Sequence, residues 1–269
     1  MELPPLLTAK ENPAVKQYRK LARLKKERMA QRKFVLEGVR LVTDACANGA
    51  RLSHLMVTQD AWEQHAADWA QLDSRQTKIS LLSDALAAQM GETEHPQGVF
   101  AICEMPEVIP LEKLLQTGNS YLLLHQVQDP GNLGMMLRTA DALGIAAVIC
   151  SQSCDWYAPK VVRATMGSLF RVPVLQVPAI EPVLQACRMQ GVETCAAVVR
   201  QPAEWVGQAT FSGRTAVLIG NEGNGLPEEV ANACARRITI PMHGRIESLN
   251  AAMAAGIILW ELVRNQQDA

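Results

Sequence analysis

Residues 219–226 read Ile219-Gly220-Asn221-Glu222-Gly223-Asn224-Gly225-Leu226, with three glycines and two asparagines in the six positions from Gly220 to Gly225, directly after the apolar run Ala216-Val217-Leu218. Such a run reads as a strand feeding a loop whose residues tolerate positive φ and bring backbone amides and carbonyls close to a ligand. The place of this turn decides between fold families. A dinucleotide-binding sheet carries G-x-G-x-x-G after its first strand, and a P-loop carries G-x-x-x-x-G-K-[ST]. Neither pattern is present, and here the glycine-rich turn follows a late strand. Taken alone, the loop also fits a tight strand-to-helix turn with Pro227 opening the helix.

Outward from this loop, strands are expected at 121–124, 146–150, 172–177, 194–199, 216–219 and 237–240, with helices starting near Leu133, Pro159, Glu181, Pro227 and Ser248. Such alternation implies an α/β fold with a mainly parallel sheet covered on both faces. Upstream, strands at 34–36, 55–57, 79–82 and 99–103 alternate with helices at 39–47, 61–70 and 84–90, a second and smaller α/β unit. Pro106 and Pro110 interrupt the pattern before a short helical run and Gly118-Asn119-Ser120. The expected organisation is a basic N-terminal arm at 1–32, a small domain at 33–106, a linker at 107–119 and a larger domain at 120–269.

The net charge of −1 conceals a segregation. Between Lys10 and Lys33 stand ten basic residues against Glu11 and Glu27, so this segment is +8 and the rest of the chain −9. A basic helix over 14–32 suits a polyanion partner, although a solvated helix face has the same composition. No run of eighteen apolar residues occurs and no signal-peptide pattern opens the chain, so a cytoplasmic location without membrane attachment is expected. The seven cysteines lack C-x-x-C spacing and read as buried thiols of a reducing compartment. Cys150 and Cys154 have no second pair or neighbouring histidine to complete a zinc site.

Two further stretches carry chemistry. Asp129-Pro130-Gly131-Asn132-Leu133-Gly134 leads into Arg138-Thr139-Ala140, where Asn132 is expected to cap a helix and Arg138 to project about one and a half turns later. Ile240-Pro241-Met242 is followed by Ser248-Leu249-Asn250 and an Ala/Gly-rich helix, with Ser248 as its expected cap and Leu249, Met253, Gly256, Trp260 and Val263 as its apolar stripe. Its small residues suit a close crossing or a subunit contact.

These three stretches resemble, in order, the three motifs of the SpoU (TrmH) branch of the SPOUT RNA methyltransferases. Arg163-Ala164-Thr165-Met166-Gly167-Ser168 with Phe170-Arg171-Val172-Pro173 is similar to the segment between the first two motifs. Phe34-Val35-Leu36-Glu37-Gly38 and Gly98-Val99-Phe100-Ala101 resemble the ribosomal-protein-like substrate-binding domain that precedes many SpoU domains. The resemblance covers roughly residues 30–266. Met135-Met136 and Ala251-Ala252-Met253 depart from the usual pattern without removing a reactive group.

The resemblance implies a deep trefoil knot in the C-terminal domain, a homodimer, and transfer of a methyl group from S-adenosyl-L-methionine to a ribose 2′-hydroxyl of RNA, with no metal. Ribosomal RNA is the first expectation. Transfer RNA and a noncatalytic RNA-binding or ribosome-assembly role are the alternatives. The implied catalytic set is Arg138, Asn132, Glu222, Ser248 and Asn250. The implied cofactor contacts are Gly220, Ile240, Leu249, Ile219, Asn221, Gly223 and Met242. Arginine is an awkward base, since its guanidinium stays protonated. Arg138 is therefore read either as a tuned acceptor or, preferably, as a fixed cation for developing negative charge. Three roles suit Glu222: binding a substrate hydroxyl, orienting Arg138, or supporting the loop.

Overall fold

The computed structural model describes residues 4–69, 72, 77–91, 97–199, 202–211 and 213–267. The chain divides into two compact units, one of Met1–Glu107 with Asp155–Phe170 and one of Val108–Cys154 with Arg171–Ala269. The segment 155–170 thus groups with the N-terminal unit instead of the continuous 120–269 domain expected from the alternation.

The first unit runs β1 (Leu6–Leu7), α1 (Pro13–Arg23), α2 (Lys25–Gln31), β2 (Lys33–Glu37), α3 (Val39–Ala47), β3 (Leu52–Thr58), α4 (Gln59–Gln64), α5 (Ala66–Trp69), β4 (Lys78–Leu82), α6 (Asp84–Met90) and β5 (Val99–Glu104). Its sheet has the order β1-β4-β3-β5-β2, parallel from β1 to β3 and antiparallel at β5 and β2. Val15, Tyr18 and Leu21 of α1 are buried against Val35, Met56, Phe100 and Ile102, and Tyr18 meets Phe100 edge to face at 5.6 Å. The helix expected over 14–32 is instead two helices, because Leu24 is extended (φ −114, ψ 110). Buried Arg28 occupies the break: it donates to the carbonyls of Leu21 (2.7 Å) and Ala22 (3.1 Å), which end α1, and pairs with buried Asp155 at 2.7 Å. One of the ten basic residues between Lys10 and Lys33 is therefore spent inside the fold. The helix expected over 61–70 is likewise two short helices with His65 between them, and Ala70 lies outside the described residues.

The second unit runs α7 (Leu111–Leu114), β6 (Ser120–His125), α8 (Pro130–Ala142) and β7 (Ala147–Ser151). The chain then contributes α9 (Pro159–Ala164) and a 3-10 turn (Ser168–Phe170) to the first unit. It returns with β8 (Val174–Val177), α10 (Glu181–Met189), β9 (Glu193–Ala197), β10 (Glu204–Trp205), β11 (Thr215–Ile219), α11 (Glu228–Ala233), β12 (Arg236–Thr239) and α12 (Ala251–Gln267). All pairings in the sheet β10-β12-β9-β11-β6-β7-β8 are parallel. Every residue of β6, β7 and β11 is buried, the signature of central strands covered on both faces.

The face of α12 differs from expectation. Ala252, Ala255, Ile258, Leu259 and Leu262 are buried, whereas Met253, Ile257 and Trp260 are 57%, 41% and 59% exposed. A helix this apolar offers more than one stripe, and it packs against α8, where a Cβ added at Gly256 would meet Thr139 Cγ2 at an ordinary contact distance of 3.9 Å. No helix of the described residues is long and apolar enough to cross a membrane.

Candidate active site

The site is assembled within the second unit at the ends of β6 and β11. Asp129, not Asn132, caps α8: its side chain accepts from the Asn132 amide at 2.8 Å, and Pro130 opens the first turn. Asn132 sits one turn in, which frees its amide side chain for longer-range bonds. Its Nδ2 donates to Glu222 Oε1 at 3.2 Å, and its Oδ1 accepts from Asn250 Nδ2 at 2.9 Å. Asn250, not Ser248, caps α12, accepting from the amides of Ala252 (2.9 Å) and Met253 (3.2 Å). One chain of hydrogen bonds, Glu222 to Asn132 to Asn250, therefore joins all three sequence stretches.

Glu222 is anchored more firmly than its half-exposed position suggests. Its carboxylate accepts from the backbone amides of Asp129 (2.9 Å) and Gln128 (3.1 Å), at the start of α8. Burial alone would raise its pKa. The amides of Asp129, Gln128 and Glu222 and the Asn132 side chain outweigh that and hold it below the ordinary glutamate value of 4.5. A carboxylate placed on a helix N-terminus in this way favours its charged form twice over.

The glycine-rich loop closes on itself. Asn221 and Gly225 exchange backbone hydrogen bonds at 3.0 and 2.9 Å. Asn221 Oδ1 accepts from the amides of Gly223 and Asn224, both at 3.0 Å, and its Nδ2 donates to the Gln126 carbonyl at 2.9 Å. A Cβ on Gly220 would lie 2.4 Å from the Gly225 carbonyl carbon, so no side chain fits there without opening the loop. Gly225 has φ +68.

The remaining residues are arranged differently. Arg138 is exposed on α8 and Ser248 exposed before α12, and among the described residues neither has a hydrogen-bond or ion-pair partner. Ile219 is buried, Ile240 half-buried, and Met242 and Leu249 are each 37% exposed. Among the described residues no hydrogen bond involves 241–249. Sequence reasoning missed Asp129 and the Gln126 to Gln128 backbone as parts of the site. The Asp-Pro pair was the available signal, since a carboxylate before a first-turn proline is itself a capping pattern. Among the described residues no group of three or more His, Cys, Asp and Glu side chains gathers as metal ligands.

Comparison with known proteins returns two family models: SpoU rRNA Methylase family over residues 119–260 and MRM3-like substrate binding domain over residues 12–101. The chain is 34% identical to the 23S rRNA (guanosine(2553)-2′-O)-methyltransferase RlmP of Bacillus subtilis over 94% of this chain and 96% of that protein. It is 31% identical to the 23S rRNA (uridine(2479)-2′-O)-methyltransferase of Streptomyces viridochromogenes, over 95% of this chain and 91% of that one. Among solved structures, the AdoMet-bound rRNA methyltransferase of Sinorhizobium meliloti matches with TM-score 0.84 and 34% identity, covering 96% of this chain and 97% of that chain.

Proposed function

The chain belongs to the SpoU rRNA methylase family, and from that membership we propose a division of labour among the residues of its site. The protein is an S-adenosylmethionine-dependent RNA 2′-O-ribose methyltransferase acting on ribosomal RNA. The observation that carries the assignment of roles is the hydrogen-bonded chain Glu222–Asn132–Asn250, which binds the three motifs into one constellation.

Glu222 and Asn132 serve as positioning residues, holding the loop, the start of α8 and the start of α12 in register. Arg138 is the catalytic residue. Its guanidinium is exposed and unengaged among the described residues, so it is available to a ribose oxygen and its phosphate, where a fixed cation stabilises the negative charge that develops as the hydroxyl gives its proton to solvent and its oxygen takes the methyl group. Ser248 and Asn250 orient the ribose. Gly220, Asn221, Gly223 and Ile219 shape one wall of the cofactor site, and Ile240, Met242 and Leu249 the other. These residues fit an adenosyl and methionyl group: the unengaged backbone of 241–249 offers donors and acceptors beside half-exposed apolar side chains. S-adenosylmethionine supplies the methyl group on a positively charged sulfonium.

We infer a trefoil knot in the second unit. In its support, β12 lies beyond β9 from β11, yet the chain after β12 crosses back so that Asn250 reaches Asn132 on α8, which follows β6. A homodimer through α12 is supported by exposed Met253, Ile257 and Trp260, an apolar face at helical spacing. A cytoplasmic location fits the seven free cysteines, four of them buried.

The test is transfer of labelled methyl from S-adenosylmethionine to 23S ribosomal RNA and, separately, to transfer RNA, both lacking prior modification. Ribosomal RNA is expected to accept the label at a ribose. Arg138→Ala should lower turnover by about 10²–10³-fold with cofactor affinity unchanged by calorimetry. Unchanged turnover would remove Arg138 from catalysis, and label in transfer RNA alone would overturn the substrate.

A further inference from the structure

The segment Asp155–Phe170, which joins the N-terminal unit, has no task in the reaction described above. Within that unit it lays two aromatic rings beside the edge strand β2: Tyr157 lies 4.9 Å from the Phe34 ring, and Phe170 stacks at 6.4 Å on its other contact. Phe34 is buried while Tyr157 and Phe170 are half-buried, so the cluster presents aromatic surface outward. It forms the floor of a cleft of about 270 Å³ whose walls include Arg51, Glu104 and Glu107. That volume lies close to the lower end, ~300 Å³, of small-ligand sites and suits one base with its sugar.

The walls narrow the ligand. Both Glu104 and Glu107 line the cleft, and among the described residues neither carboxylate has a hydrogen-bond or ion-pair partner. Carboxylates repel the phosphates of an RNA strand, so they are misplaced for backbone contact in a protein that binds one. They match a base edge made of donors. Guanine alone presents two adjacent N–H donors, N1–H and N2–H, to a single carboxylate, and an unstacked base is the form in which single-stranded RNA is read on aromatic side chains. Arg51 at the rim can accompany the sugar-phosphate that leads the base in. We propose that this cleft binds one unstacked guanine of the RNA substrate, stacked on Tyr157 and Phe170 and read by Glu104 and Glu107. The proposal rests on the RNA-methyltransferase reading for its ligand class, and it gives the segment 155–170 a function in substrate recognition.

The experiment is saturation-transfer NMR on the full chain with guanosine 5′-monophosphate as probe, against the inosine, adenosine and cytidine monophosphates. S-adenosylhomocysteine is present in excess to fill the cofactor site. The guanosine H8 signal should exceed the inosine signal at least threefold, because inosine lacks the 2-amino donor. It should fall at least threefold in Tyr157→Leu and in Glu104→Gln/Glu107→Gln. The two glutamates are not in the core, so their replacement tests the cleft even if Tyr157→Leu fails to fold. Equal signals from all four nucleotides, or a guanosine signal indifferent to the glutamate variants, would overturn the proposal. Because the readout involves no turnover, a guanosine signal without methylation of any RNA would count against the enzyme reading and not against the cleft, and the converse result would do the opposite.

Discussion

The loop 220–225 and the segment 241–249, proposed above as two sides of one cofactor site, differ in how their polar groups are engaged. The loop is tied down by hydrogen bonds: Asn221 engages the amides of Gly223 and Asn224 and the backbone of Gly225 within it, and the carbonyl of Gln126 outside it. The segment 241–249 has none among the described residues. A loop held by its own hydrogen bonds is built before ligand arrives, while the exposed residues 242–249 leave their backbone groups to water until a ligand replaces it. One side of the proposed cofactor site is thus a preformed wall and the other a surface with bonding capacity in reserve.

The sharpest way to break that contrast is to spoil the wall. Gly220→Ala sets a methyl group 2.4 Å from the carbonyl carbon of Gly225 and 2.6 Å from the Leu226 nitrogen, both backbone atoms that cannot rotate away. Overpacking of this kind costs roughly 1–3 kcal/mol, which corresponds to about 5- to 150-fold in affinity if the loss falls on the bound state. Calorimetry should show that loss for S-adenosylmethionine, and thermal melting should show a lowered midpoint. Full affinity in Gly220→Ala would mean that the loop does not form the site.

A smaller effect is expected from Glu222→Gln. The substitution keeps the shape and removes the charge that the amides of Asp129 and Gln128 stabilise. For a half-exposed group the cost is about 1 kcal/mol. The pH dependence gives the sign: the folded pKa is depressed, so the contribution is complete above the unfolded glutamate value of ~4.3 and disappears as pH falls through the folded pKa. The melting difference between wild type and Glu222→Gln should therefore be constant near neutrality and shrink below about pH 4. A difference that grows on acidification would show that the carboxylate is strained and not anchored.

How much of this was legible in the sequence depends on the distance over which each feature is encoded. Helices α3 and α6 and the central strands β6, β7 and β11 follow from continuous local periodicity or apolar runs, and the structure places them within about a residue of expectation. The two-residue strands β1 and β10 carry no period to detect. The break at Leu24 depends on Arg28 meeting Asp155, 127 positions away, and the transfer of 155–170 to the first unit depends on the same pair and on Phe34. At the site, the resemblance singled out Asn132, Glu222 and Asn250, yet the bonds among them span 90 and 118 positions. The caps were misassigned because Asn132 and Ser248 are good capping residues that stood near better-placed ones, Asp129 and Asn250. The buried side of α12 was misread because alanine gives little hydrophobic signal even where it packs most closely.

The segment 241–249 carries the converse test. If recognition there is carried by unengaged backbone groups, then side chains should matter little and amide protection should matter much. Met242 is already partly buried, and its truncation removes only part of an apolar contact, about 1 kcal/mol or less than tenfold in affinity. Met242→Ala should therefore bind S-adenosylmethionine nearly as well as wild type. In hydrogen exchange, the Gly223 and Asn224 amides, bonded to Asn221, should exchange slowly with or without cofactor, whereas amides of 242–249 should exchange quickly in the free protein and slow only when cofactor is added. Slow exchange across 242–249 in the free protein would show that the segment is satisfied without ligand, and the distinction between a preformed wall and a ligand-completed one would fail.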